Sequence, residues 1–249
     1  MGVDMPRFTL ACISLFSLII SVETVHSAEL KVFASRAVWT VLREVGQEFE
    51  QKTDHKLVLT TGLSFHYVDQ FNAGEFDVIA APPPELDRLI KSDKLIASSK
   101  VDLVRSVVGV VVRAGAPKPD VSSVEAFKQT LLRAQSITYL PTPGVPLMLE
   151  RLGLKDALAS KITVPKTEIS TELVAKGEIE LAIIVATQAF TTPGVELAGP
   201  LPPEIRFYGS FGGAVSSASK VPDAGRSLLE FLKSPRVVEV IKAQGMEPM

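Results

Sequence analysis

The side chains best placed to do chemistry in this chain sit where strands hand over to helices. Ser35 and Arg36 stand between a run of strand formers, Leu30 to Ala34, and the residues Val38, Val41, Leu42, Val45 and Phe49, which recur at helical spacing. Ser35 thus falls at an N-cap, and Arg36 and Ala37 fall in a first turn whose N–H groups have no intrahelical acceptor. Such a turn attracts anions through its free amides and the positive end of the helix dipole, and a guanidinium beside it adds a full charge. The plainer reading makes Ser35 a simple cap and Arg36 a solvated surface charge. A second loop, Gly62-Leu-Ser-Phe-His-Tyr67, offers Ser64 at another cap position, with His66 and Tyr67 beside it. An unperturbed imidazole titrates near pH 6.5, so His66 suits acid–base work; the plainer reading is a neutral loop histidine. Later in the chain Thr142 lies in a loop that opens a helix, and either Thr167 or Ser170 marks the start of another. Asp77 could be read as a catalytic acid, but a carboxylate at a strand start is more often a turn or hinge hydrogen-bond partner.

The elements that must position these groups alternate. After the first strand and a helix to about Gln51 come a strand at Leu57–Thr60, a short helical face closed by Gly74, a strand at Phe76–Ala80, and a helix introduced by Pro82-Pro-Pro84. Strands separated by helices of crossover length argue an α/β fold with a parallel sheet and helices on both faces. Val101 to Arg113 is a long β-branched run with Gly109 inside it, which fits one strand crossing between two lobes. The pattern then repeats, with a helix over 122–133, a strand at Ser136–Leu140, the loop Pro141–Gly144 opening a helix, a strand at Ile162–Val164, a helix ending at Gly177, and the apolar strand Leu181–Val185. Ile205–Gly209 and Phe211–Ser217 read as strand returning across the hinge, before helices at Asp223–Lys233 and Pro235–Gln244. The expected organisation is a signal over residues 1–27, one lobe from 28–106 and 207–249, and a second lobe from 107–206.

Composition limits the partners. A 249-residue chain that is 46% hydrophobic and carries a formal net charge of −2 shows no footprint of nucleic-acid or anionic-membrane binding. Arg7, the uncharged run Phe8 to Val22, and Val25 and Ser27 at the −3 and −1 positions of a cut before Ala28 read as a secretory signal. That run is shorter than the ~20 residues needed to span a bilayer core, so cleavage into the periplasm without membrane insertion is expected. Cys12, the single cysteine, lies inside the signal, so no disulfide is expected. Phosphate-loop, dinucleotide, nucleophile-elbow and zincin motifs are absent from the sequence, and three scattered histidines give no ligand spacing; neither a cofactor nor a metal is expected.

In order along the chain, Val32-Phe-Ala-Ser-Arg-Ala-Val-Trp-Thr-Val-Leu42, Phe71-Asn-Ala-Gly-Glu-Phe-Asp-Val-Ile79, Leu149-Glu-Arg-Leu-Gly153 and Glu180-Leu-Ala-Ile-Ile-Val185 resemble the molybdate-binding periplasmic proteins of ABC importers. The resemblance implies two Rossmann-like α/β lobes joined by two hinge strands, closing as a monomer on a small anion and delivering it to an ABC permease. It places the family's first-loop serine on Ala37, its second-loop serine on Ser64, and the tyrosine that donates from the second lobe on Val185. Two hydroxyl donors of the family are therefore missing, each worth on the order of 1.5–3 kcal/mol to a desolvated oxyanion. Arg36 stands beside the first gap, and a planar guanidinium suits a carboxylate better than a compact tetrahedral ion. The expected ligand is a small organic carboxylate, met by Ser35, Arg36, Ala37, Ser64, His66, Thr142, Thr167 and Val185. The alternative is an isomerase of an unsaturated tricarboxylate such as aconitate, a reaction that some proteins of this fold carry out, with His66 or Tyr67 as acid or base.

Overall fold

A computed structural model describes residues 1–2, 29–62, 67–139, 143–165 and 170–249. The first strand, β1 (Glu29–Ala34), alternates as expected: Leu30, Val32 and Ala34 enter one core and Phe33 the core on the opposite face. In α1 (Arg36–Thr53) Val38, Val41, Leu42, Val45 and Phe49 form one buried face. The helix stops at Asp54, whose left-handed φ of 56° ends the i→i−4 ladder. Near that end the Leu57 N–H donates to Glu50 at 2.8 Å and the Lys56 ammonium lies 3.0 Å away; these two hold the Glu50 carboxyl below its ordinary range and tie α1 to β2 (Lys56–Thr61).

Next come α2 (Tyr67–Ala73), β3 (Val78–Ala81), α3 (Pro83–Lys91) and a 3-10 turn at Ala97–Ser99, followed by the long strand β4 (Val101–Arg113). The middle of the chain supplies α4 (Val124–Arg133), β5 (Ile137–Tyr139), α5 (Gly144–Arg151), α6 (Lys155–Leu158), α7 (Ser170–Lys176), β6 (Leu181–Val185), α8 (Thr187–Thr191) and β7 (Val195–Pro200). After a 3-10 turn at Pro203–Ile205, β8 (Tyr208–Val215), α9 (Pro222–Phe231), α10 (Pro235–Ala243) and β9 (Glu247–Pro248) complete the order.

The strands lie in the order β2-β1-β3-β8-β4-β6-β5, with β7 and β9 also paired to β4. β1 is parallel to β2 and β3, and β5 is parallel to β6, so these strands need the helical crossovers that the sequence pattern supplies. The sheet is mixed and not parallel as expected, because β4 and β8 pair antiparallel with each other and with their other neighbours, β8 with β3 and β4 with β6 and β7. β4 changes partners along its length: Val101–Val107 pair with β8, whereas Val108–Val112 pair with β6. Each half of the sheet is covered on both faces. Residues from 30–104 and 211–246 build the two cores around β1, β3 and β8, and residues from 108–201 build the two around β5 and β6. This is the two-lobed α/β architecture, with the lobes joined through β4 and the return into β8.

Three local expectations change. The strand expected at Ile162–Val164 reduces to one isolated bridge, Ile137 to Ile162. The two strand segments expected at 205–217 are one strand, β8. β7 is an addition that ends on Gly199-Pro200, where the ladder stops needing an N–H. It also explains Gly109, which is a site of close approach: a Cβ there would lie 2.6 Å from the Gly199 carbonyl and 3.2 Å from Pro200 Cα.

Candidate functional site

In open α/β sheets ligands bind outside the carboxyl ends of the strands. That is where β1 delivers Ser35. Its N–H donates to the Ala80 carbonyl at 2.6 Å, continuing the ladder toward β3, and its carbonyl accepts the first intrahelical bond, from Trp39 N–H at 2.8 Å. Its side chain does not cap. The Ser35 Oγ is fully buried and has no hydrogen-bond partner among the described residues. Backbone pairing alone holds Ser35 at the junction, and a buried hydroxyl held without a partner costs about 1–3 kcal/mol.

Arg36, the first residue of α1, is half-buried. Among the described residues it makes no ion pair; its one side-chain hydrogen bond runs from Nη1 to Thr192 Oγ1 at 3.4 Å. Thr192 follows α8, whose Ala189 packs in a core of the second half, so this contact joins the two halves where α1 meets α8. The Thr192 hydroxyl in turn lies 2.9 Å from that of Thr171, on α7, and both threonines are buried. Ser170, beside it, accepts from Thr138 Oγ1 at 3.4 Å. Thr187 Oγ1, at the start of α8, and Ser106 Oγ, on β4 just before its partners change, are further buried hydroxyls with no partner among the described residues. A half-buried cation, free first-turn amides and unspent hydroxyls make a site rich in donors, one that can desolvate an anion and repay it with charge-assisted bonds.

Ala37 packs its methyl into the first core, so it can offer a ligand only its amide. Val185 packs into the second core, and a Cβ on Gly209 would collide with its Cγ1; its backbone pairs with Val108 of β4. Tyr67 is the first residue of α2. Ser64, His66, Thr142 and Thr167 lie outside the described residues. The residues that sequence reasoning missed are Thr171 and Thr192. The available signal was weak: Thr171 follows the flagged Ser170, and Thr192 follows an apolar strand by seven residues, but neither position shows its burial in sequence.

A cavity of about 790 Å³ opens at the opposite end of the first lobe, beside Lys31, Asp77, Lys94 and Lys220. Its lining holds the amino ends of β1 and β3. Asp77 there accepts from Lys31 N–H at 2.9 Å and from Ser219 Oγ at 2.7 Å, the hydrogen-bonding role of a carboxylate at a strand start. Among the described residues no group of three or more His, Cys, Asp or Glu side chains could hold a metal ion. Nor is any described helix long and apolar enough to cross a membrane.

Residues 30–247 match the profile of a family described as bacterial extracellular solute-binding protein. An aconitate isomerase from Pseudomonas sp is 31% identical over 230 residues, covering 88% of each chain. The molybdate-binding protein ModA of Azotobacter vinelandii is 26% identical over 236 residues, covering 88% of this chain and 90% of its own. The solved Azotobacter vinelandii periplasmic molybdate-binding protein superposes with a TM-score of 0.69 at 19% identity, over 87% of this chain and 98% of that one.

Proposed function

The chain belongs to the bacterial extracellular solute-binding proteins, and from that premise we propose that it captures a small organic carboxylate in the cleft between its two halves. One observation carries the reading: the half-buried Arg36 guanidinium has no carboxylate partner among the described residues, and the buried Ser35 hydroxyl beside it is unspent. A carboxylate ligand supplies the missing acceptors bidentately, which a molybdate-type oxyanion does less well. The halves close about a hinge that we set near residues 106 and 207, where β4 exchanges partners. The protein is exported through its N-terminal signal to the periplasm, acts as a monomer, and hands the anion to an ABC importer permease.

A second reading is favoured by the 31% identity with an aconitate isomerase over most of both chains. In it the same pocket isomerises an unsaturated tricarboxylate, with His66 or Tyr67 moving the proton. One set of measurements separates the readings. Calorimetry against molybdate, tungstate, sulfate and a panel of di- and tricarboxylates is expected to find a carboxylate among the tight ligands. Arg36→Ala is expected to weaken that ligand by more than tenfold, at ~1.4 kcal/mol per decade. Nanomolar molybdate binding with no carboxylate response rejects the proposal. Loss of the ultraviolet absorbance of cis-aconitate on incubation with the protein identifies the isomerase; a pure binder leaves it unchanged.

A further inference from the structure

We infer that Thr192 is a positioning residue for Arg36: from the opposite half of the molecule its hydroxyl sets the guanidinium, so that the anion-binding charge is fully in place only when the halves are together. The inference rests on the carboxylate reading above. An arginine has five N–H donors and no acceptor, so in the contact at 3.4 Å Arg36 donates and Thr192 Oγ1 accepts. That distance is at the long end for a hydrogen bond, which makes it an orienting contact and not a clamp.

Thr192 can act as a fixed post because it is itself held. Its hydroxyl lies 2.9 Å from that of Thr171, which is fully buried on α7, and both side chains are β-branched and so stiff about χ1. Whichever of the two threonines donates to the other, the pair spends one O–H between them and keeps the second unspent, since Arg36 is itself a donor and neither hydroxyl has another acceptor among the described residues. Arg36, the threonine pair and Ser35 therefore all face their surroundings as donors. An anion on Arg36 is the group that can accept from the rest, and binding it engages both halves at once.

A neighbouring contact between the halves provides a control. Phe190 of α8 lies against Gly245, just after α10, where an added Cβ would sit 3.6 Å from the ring. This contact involves neither Arg36 nor a hydrogen bond.

The test is a double-mutant cycle read by calorimetry, with cis-aconitate and citrate as probes on the purified chain. Thr192→Val is expected to weaken binding about tenfold in the wild-type background and less than about twofold when Arg36 is already alanine, the non-additivity of two groups acting as one. Thr192→Ser, which keeps the hydroxyl, is expected to restore affinity. Phe190→Ala is expected to weaken binding by the same factor in both backgrounds. A Thr192→Val loss that is equal in the two backgrounds, or absent, overturns the inference while a large Arg36→Ala loss leaves the carboxylate reading standing. An Arg36→Ala variant with unchanged affinity, or a wild-type chain that binds neither probe, overturns both.

Discussion

At the scale of single residues, the most informative group is the Ser35 hydroxyl. Backbone bonds to Ala80 and Trp39 give the residue a structural duty that any side chain of similar size could meet. The buried Oγ adds nothing to that duty and carries the desolvation cost of an unpaired polar atom. Ser35→Ala is therefore expected to stabilise the protein to urea by up to about 1 kcal/mol while weakening carboxylate binding at least fivefold. Stability and affinity moving in opposite directions is the signature of a hydroxyl kept for a ligand; a fall in both marks Ser35 as a structural residue. Residue type and spacing made Ser35 and Arg36 legible in advance, because a strand-to-helix junction announces its own first turn. Thr171 and Thr192 were not legible, since a threonine's burial and its neighbour twenty-one positions away follow only from how α7 and α8 pack.

At the scale of elements, β4 carries the molecule's continuity, since it is the strand that belongs to both halves of the sheet. A point of close approach along it is Gly109, beside the Gly199 carbonyl. Because a Cβ there would meet backbone, which cannot swing aside as a side chain can, Gly109→Ala is expected to destabilise by about 1–3 kcal/mol, measured as a lower urea midpoint with the m-value unchanged. A neutral variant would show that β7 can shift away from β4 at no cost. The helices α1, α4, α9 and α10 follow the apolar periodicity that predicts them, because each buries one stripe against a sheet. β7 and α8 escape the pattern. Val195–Pro200 alternates poorly and ends in Gly-Pro, and it is a strand only because the open edge of β4 is there to pair with it.

At the scale of the whole molecule, two half-sheets share a crossing strand and meet again where Arg36 donates to Thr192 and Phe190 approaches Gly245. A ligand gripped from both sides stabilises the folded chain as a unit. At a free concentration one hundred times Kd that linkage is worth about 2.7 kcal/mol, and for a chain of this length each kcal/mol moves Tm by roughly 2–4 °C. Thermal unfolding is thus expected to shift upward by roughly 5–11 °C with a saturating tricarboxylate, and the shift is expected to vanish in Arg36→Ala at the same concentration. A shift with molybdate and none with carboxylates overturns the reading. The α/β class, the crossing strand and the charged helix start are readable in the residue order alone, because hydrophobic period, turn residues and caps act between near neighbours. Chain packing sets the rest: the Ser35 hydroxyl has no partner among the described residues, Gly109 faces a backbone carbonyl, and Arg36 finds its hydroxyl partner 156 residues away. Those relations come from packing one half against the other, and no local pattern encodes the distance between residues that share no element.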